Sequence, residues 1–127
     1  MTRSPTPRSI TSILRGICGL LAVTGTVVTA DADAKDIHVH TAINLTFVPQ
    51  EVHAVVGDRI VWTNDSRVRH EVAFSANPTD SGERRLIRQL PANRTVSIVV
   101  SRPGSYDYAC RWHGMWGKIV VEDKPER

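Results

Sequence analysis

Between residues 36 and 122 the chain is a succession of short β-branched and aromatic runs, each stopped by glycine, proline, asparagine or aspartate, and no segment there keeps a helical period over three turns. Such a pattern is satisfied by strands and by little else. It predicts strands near 36–42, 47–56, 59–63, 71–75, 86–89, 95–100, 105–110 and 117–122. Val96, Ile98 and Val100 form one apolar face, interleaved with Ser97 and Val99. Gly57-Asp58 reads as the corner of a hairpin. Arg102-Pro103-Gly104-Ser105 is a second turn, because Pro103 cannot sit inside a central strand, and residues 77–82 form a longer polar loop. The expectation is an all-β fold, an antiparallel sandwich of about eight strands. A chain of 127 residues has room for one such domain.

The first 34 residues are of another kind. Arg3, Arg8 and Arg15 make a basic start with no acidic residue before Asp31. An apolar run covers 17–28, and small residues alternate with aspartate from Ala30 to Ala34. This order predicts a cleavable secretory signal over residues 1–34, with the mature domain at 35–127. The apolar run is well short of the roughly 20 residues a spanning helix needs, so no stable membrane insertion is expected after cleavage. Cleavage removes Cys18 and leaves Cys110 as the only thiol, so no disulfide can form within the mature chain. A lone thiol in an oxidising compartment is a liability unless it is buried or ligated. Thirteen basic residues then face eleven acidic ones. That balance lacks the dense basic stripe of a nucleic-acid binder.

The chemistry concentrates at Cys110-Arg111-Trp112-His113-Gly114-Met115. One strand delivers the thiol, a tight loop presents an imidazole and a thioether, and a second strand leaves. His70, just before another predicted strand, offers a second imidazole. Two histidines and a thiolate in a plane, with a weak axial thioether, form the blue-copper ligand set. The candidate metal ligands are therefore His70, Cys110, His113 and Met115. His38 and His40 share one face of a strand; a second metal site is conceivable there, but a solvated face is the simpler reading, and His53 has no partner in sequence. Trp112 is expected partly exposed beside His113, and Trp116 packed in the core.

In order along the chain come Phe47-Val48-Pro49, Gly57-Asp58, Val61-Trp62-Thr63-Asn64, His70, Pro103-Gly104-Ser105-Tyr106 and the Cys110 loop. With these landmarks the segment 45–123 resembles the small cupredoxins of the plastocyanin and amicyanin group. The resemblance implies a Greek-key β-sandwich holding one type 1 copper through His70, Cys110, His113 and Met115. It also implies one-electron transfer between larger redox proteins outside the cytoplasm, in the periplasm or as a secreted protein. Two departures stand out. Only Gly114 separates His113 from Met115, where the compact amicyanin-like loop has two residues. Glu71 follows the first histidine, where the family often has an asparagine that ties the two copper loops together.

Other functions fit less well. Catalytic zinc can use a Cys-His-His shell, but no convincing general base accompanies it and the methionine is left without a role, so no enzyme is expected. A copper carrier that hands its metal to another protein is the main alternative. Multicopper chemistry needs further histidine clusters, which the chain lacks. Arg67, Arg69 and Arg111 lie near the ligands in sequence and are candidates for a positive rim that steers a redox partner with an acidic docking face.

Overall fold

A computed structural model describes Gly25 and residues 34–126. Residues 1–24 and 26–33, which carry the predicted signal, lie outside the described residues. Nine strands are present among the described residues: β1 Asp36–Ala42, β2 Thr46–Val48, β3 Glu51–Val55, β4 Arg59–Thr63, β5 His70–Phe74, β6 Ile87–Leu90, β7 Thr95–Val99, β8 Gly104–Cys110 and β9 Met115–Glu122. They form two sheets, ordered β2-β1-β4-β7 and β3-β9-β8-β5-β6. Alternation decides what each strand buries. Tyr106, Tyr108 and Cys110 of β8 point inward, as do Met115, Gly117, Ile119 and Val121 of β9.

Two expectations change. The single strand expected over 47–56 is two strands in different sheets. Proline lacks a backbone donor and interrupts a ladder; around Pro49 the chain leaves β1 and joins β9. Consequently the sandwich is mixed rather than purely antiparallel. β2 and β3 run on in one direction, so the next reversal sets β4 parallel to β1, and β3 lies parallel to β9. For the same reason Gly57-Asp58 is a corner between sheets and not a hairpin. Gly57 takes φ +100°, a region open to glycine. The buried Asp58 carboxylate accepts from the backbone N–H of Lys35 at 3.0 Å and of Val55 at 2.9 Å.

The core between the sheets is built on Phe47, Trp62, Phe74 and Tyr108. The Tyr108 ring lies 4.9 Å from Phe47, 5.4 Å from Trp62 and 5.3 Å from Phe74. Burial pushes the Tyr108 phenol up to about 12, with the nearby Trp62 side chain opposing. Between β7 and β8, the 102–105 turn is held by the Tyr106 hydroxyl, which donates to the Arg102 carbonyl at 2.9 Å. At one end of this packed body β4 and β8 finish while β5 and β9 begin. That end carries the chemistry.

Candidate metal centre

Cys110 closes β8. It falls on the inward side of the alternation and is fully buried, the only free cysteine among the described residues. The chain then reverses through Arg111–Gly114, with the His113 N–H on the Cys110 carbonyl at 3.3 Å. Gly114 sits at φ +64°, in the left-handed region that completes the reversal. β9 begins at Met115, which stands directly across the ladder from Cys110 and is 2% exposed. Paired residues of antiparallel strands project to the same side, with Cβ atoms about 4.5–5.5 Å apart. The shortened loop thus leaves the thioether on the thiolate's side of the sheet.

His70, the first residue of β5, meets this hairpin from the neighbouring strand and is fully buried. Its Nδ1 lies 3.1 Å from His113 Nδ1 and 3.7 Å from Cys110 Sγ, while His113 Nδ1 lies 3.3 Å from the same sulfur. A first-row metal in a trigonal plane, with nitrogens at about 2.0 Å and a thiolate at about 2.3 Å, sets edges of roughly 3.5–3.7 Å. The three donors form a triangle with one edge of that length and two about 0.4 Å shorter, so a small outward shift of His113 admits the ion. Among the described residues this is the one group of three or more cysteine, histidine and acidic side chains able to close on a metal. Burial and the neighbouring His113 hold the His70 imidazole below its usual value. The site therefore disfavours the imidazolium form of His70 and leaves one ring nitrogen with a lone pair for a metal.

The orientation of His70 has a cause outside the triangle. Its Nε2 is 3.0 Å from Ser66 Oγ, whose hydroxyl is turned to Asn64 Oδ1 at 2.7 Å. With its own proton committed there, Ser66 accepts from Nε2–H, which leaves Nδ1 free. Asn64 is buried and organises the whole loop. Its Oδ1 also accepts from Thr41 Oγ1 and the Ser66 N–H, both at 3.0 Å. Its amide donates to the carbonyls of Val68 at 2.8 Å and Leu90 at 3.1 Å. Sequence reasoning quoted Asn64 only as the end of the landmark Val61-Trp62-Thr63-Asn64, without a role, and passed over Ser66. The signal for a role was the polar run Asn64-Asp65-Ser66 interrupting the approach to a candidate ligand.

The second loop tie is also present, made by other residues than the family's asparagine. Glu71 is 1% exposed, and its carboxylate takes Arg111 Nε at 2.7 Å and Nη2 at 3.3 Å. That hydrogen-bonded guanidinium holds the Glu71 carboxyl below its usual range against the opposing effect of burial. Arg111 is accordingly an ion-pair partner and not a free rim charge. Arg69 lies over the Trp112 ring, 4.8 Å from its centre. Trp112 is half exposed as expected, but Trp116 is 57% exposed and not in the core. It follows Met115 and precedes Gly117, both inward, so alternation turns it out. His38 and His40 lie on an exposed face, where His40 pairs with Asp65 at 2.7 Å, and His53 pairs with Glu51 at 3.0 Å.

Residues 34–122 match the model for copper binding proteins of the plastocyanin/azurin family. Amicyanin-alpha of Methylorubrum extorquens is 36% identical over an alignment of 81 positions that covers 61% of this chain and 66% of that protein, so the chain spans just under two thirds of this relative. The chloroplastic plastocyanin minor isoform of Arabidopsis thaliana is 28% identical over a gapped alignment of 136 positions that covers 95% of this chain and 78% of its own length. A Cu(I) structure of a methionine-to-alanine mutant of amicyanin superposes with a TM-score of 0.61 at 32% identity, covering 68% of this chain and 82% of that one.

Proposed function

Because the chain belongs to the plastocyanin/azurin family of copper-binding proteins, we propose that it is an exported one-electron carrier, periplasmic or secreted, and not an enzyme. The cofactor is one type 1 copper. In this reading His70 Nδ1, Cys110 Sγ and His113 Nδ1 would hold it, and the Met115 thioether would be a weaker fourth donor. Copper supplies the one-electron couple; the protein supplies a donor set that stays in place. The observation that carries the proposal is the buried triangle of donors, with edges of 3.1–3.7 Å, at the end of a packed sandwich. Soft sulfur suits the reduced ion and imidazole suits both states. Donors fixed by Ser66, by the hairpin and by the core rearrange little when the charge changes.

His113, less buried than His70 and followed by Gly114, is the exit for the electron in this reading. Trp112 beside it offers an exposed aromatic contact of the kind enriched at interfaces. Arg67 and Arg69 add positive charge on the adjacent loop, which suits a redox partner with an acidic docking face. A handover protein has less support, since His70 and Cys110 are both fully buried and hence closed to a receiving ligand.

The test is a visible and EPR spectrum of the mature domain after adding Cu(II), followed by voltammetry. Sulfur-to-copper charge transfer, a narrow type 1 splitting and a reversible couple without metal loss are expected. Absence of the charge-transfer band would refute the ligand assignment, and loss of copper on each reduction would refute the carrier role. Arg67→Glu with Arg69→Glu should slow transfer to the partner and flatten its salt dependence, because exposed charges are screened over about 8 Å at physiological ionic strength. A rate indifferent to both would leave docking to the apolar surface of Trp112.

A further inference from the structure

Among the described residues two carboxylates are buried, and they are treated differently. Asp58 is satisfied by backbone N–H groups at the far corner. Glu71 adjoins the ligand His70, and its partner Arg111 adjoins the ligand Cys110. The pair therefore spans the two chain segments that must hold their donors 3.7 Å apart. The backbone does not provide this link. The β5–β8 ladder pairs Ala73 with Ala109 and Phe74 with Tyr108, and its register extends no further toward the metal end. Beyond it the strands are joined by Arg111 Nε–Oε1 at 2.7 Å, Nη2–Oε2 at 3.3 Å and the Arg111 backbone N–H on Oε1 at 3.4 Å.

The two members are not equivalent. The Glu71 carboxylate is 1% exposed, whereas the Arg111 side chain is 54% exposed and its charge reaches solvent. Removing the guanidinium leaves a negative charge enclosed one residue from a metal ligand. Removing the carboxylate leaves a positive charge at the rim of the same site. A metal that alternates between single and double positive charge is sensitive to both, in opposite directions.

We propose that Glu71 and Arg111 are a positioning pair for the copper centre, fixing the separation of the His70 and Cys110 segments and balancing the charge beside it. The proposal rests on the copper reading above. A wild-type protein without a type 1 spectrum overturns that reading, whereas the comparison of variants below tests the pair.

Arg111→Met keeps the aliphatic stem and leaves the carboxylate uncompensated, which favours Cu(II), so the reduction potential should fall. Glu71→Gln keeps the shape and removes the negative charge, so the potential should rise. The double variant should return close to the wild-type potential while its EPR lines broaden, because charge is balanced again but the tie is weakened. Arg111→Lys, the fallback if Arg111→Met does not fold, should keep the potential near wild type. A metal-free readout accompanies these. Amide resonances of residues 110–114 in the apo-protein should broaden in Glu71→Gln if the pair orders the loop. Shifts of the same sign in the two single variants, or unchanged potentials with unchanged apo spectra, would overturn the proposal and reduce the pair to a fastening without influence on the centre.

Discussion

Gly117→Ala adds one methyl group where the interior has no room for it. A Cβ at this position would lie 2.3 Å from Tyr108 Cζ, 2.4 Å from its hydroxyl oxygen and 2.8 Å from Cε2, against an ordinary carbon contact of about 3.5–4.0 Å. Gly117 and Tyr108 are cross-strand partners of β9 and β8, so the approach is built into the register. The ring cannot step aside cheaply, because Phe47, Trp62 and Phe74 lie against it at 4.9–5.4 Å. Overpacking of this sort costs about 1–3 kcal/mol, and a fixed aromatic neighbour places Gly117→Ala near the upper end. At roughly 4–8 °C per kcal/mol for a domain of this size, the melting midpoint should fall on the order of 10–20 °C. The assay is thermal and denaturant unfolding of the metal-free protein, since bound copper would mask the loss. Combination with Tyr108→Leu supplies the control. The smaller side chain removes the collision, so the double variant should be more stable than the sum of the two singles predicts. A midpoint within about 2 °C of wild type, or strict additivity in the double variant, would show that the close contact is not what excludes a side chain at residue 117.

Cys110→Ser should abolish the charge-transfer band while circular dichroism stays that of a folded β domain. Met115→Leu should keep copper but move the reduction potential, because loss of a weak thioether shifts the balance between oxidation states; an unchanged potential and spectrum would make Met115 packing only. Ser66→Ala frees the His70 tautomer and should weaken copper binding about 10–100-fold, read by competition with a chelator of known affinity. Tyr108 should be the late phenol in an alkaline ultraviolet titration, ionising at about 12 against a free value of 10.0. Its folded value is the raised one, so the stability linked to it is intact below pH 10 and is lost as pH rises toward 12, which unfolding midpoints across that window would check.

The legible part of this protein is the part whose evidence is local. Cys110, His113 and Met115 lie within six residues and between two readable strands, so their convergence needed no long-range information. The strand pattern and the turn at Pro103 were readable for the same reason. What failed depended on which sheet a strand joins. The run 47–56 has the composition of one strand, and only pairing with β1 and then β9 divides it at Pro49. That division in turn makes β1–β4 and β3–β9 parallel, which no turn residue announces. Trp116 was misplaced because Gly117 hides the parity of β9: an inward residue without a side chain looks like a strand boundary. Glu71 and Arg111 are 40 residues apart, and nothing in either residue names the other.

Local and non-local evidence divide along the same line as the mechanics of the centre. Three of the four candidate ligands belong to one hairpin, held by its own ladder and by the left-handed turn at Gly114. They keep their mutual geometry as long as β8 and β9 stay paired. His70 has no such covalent economy. It reaches the triangle at the end of a loop whose backbone Asn64 ties at Ser66 and Val68, its imidazole is aimed by Ser66, and β5 is no longer paired to β8 at that level. Disturbance of the centre should therefore enter from the His70 side. Substitutions at Asn64, Ser66 or Glu71, none of them a ligand, should loosen the metal or alter its spectrum. Equally drastic changes on the far corner around Asp58 should affect stability and leave the spectrum alone.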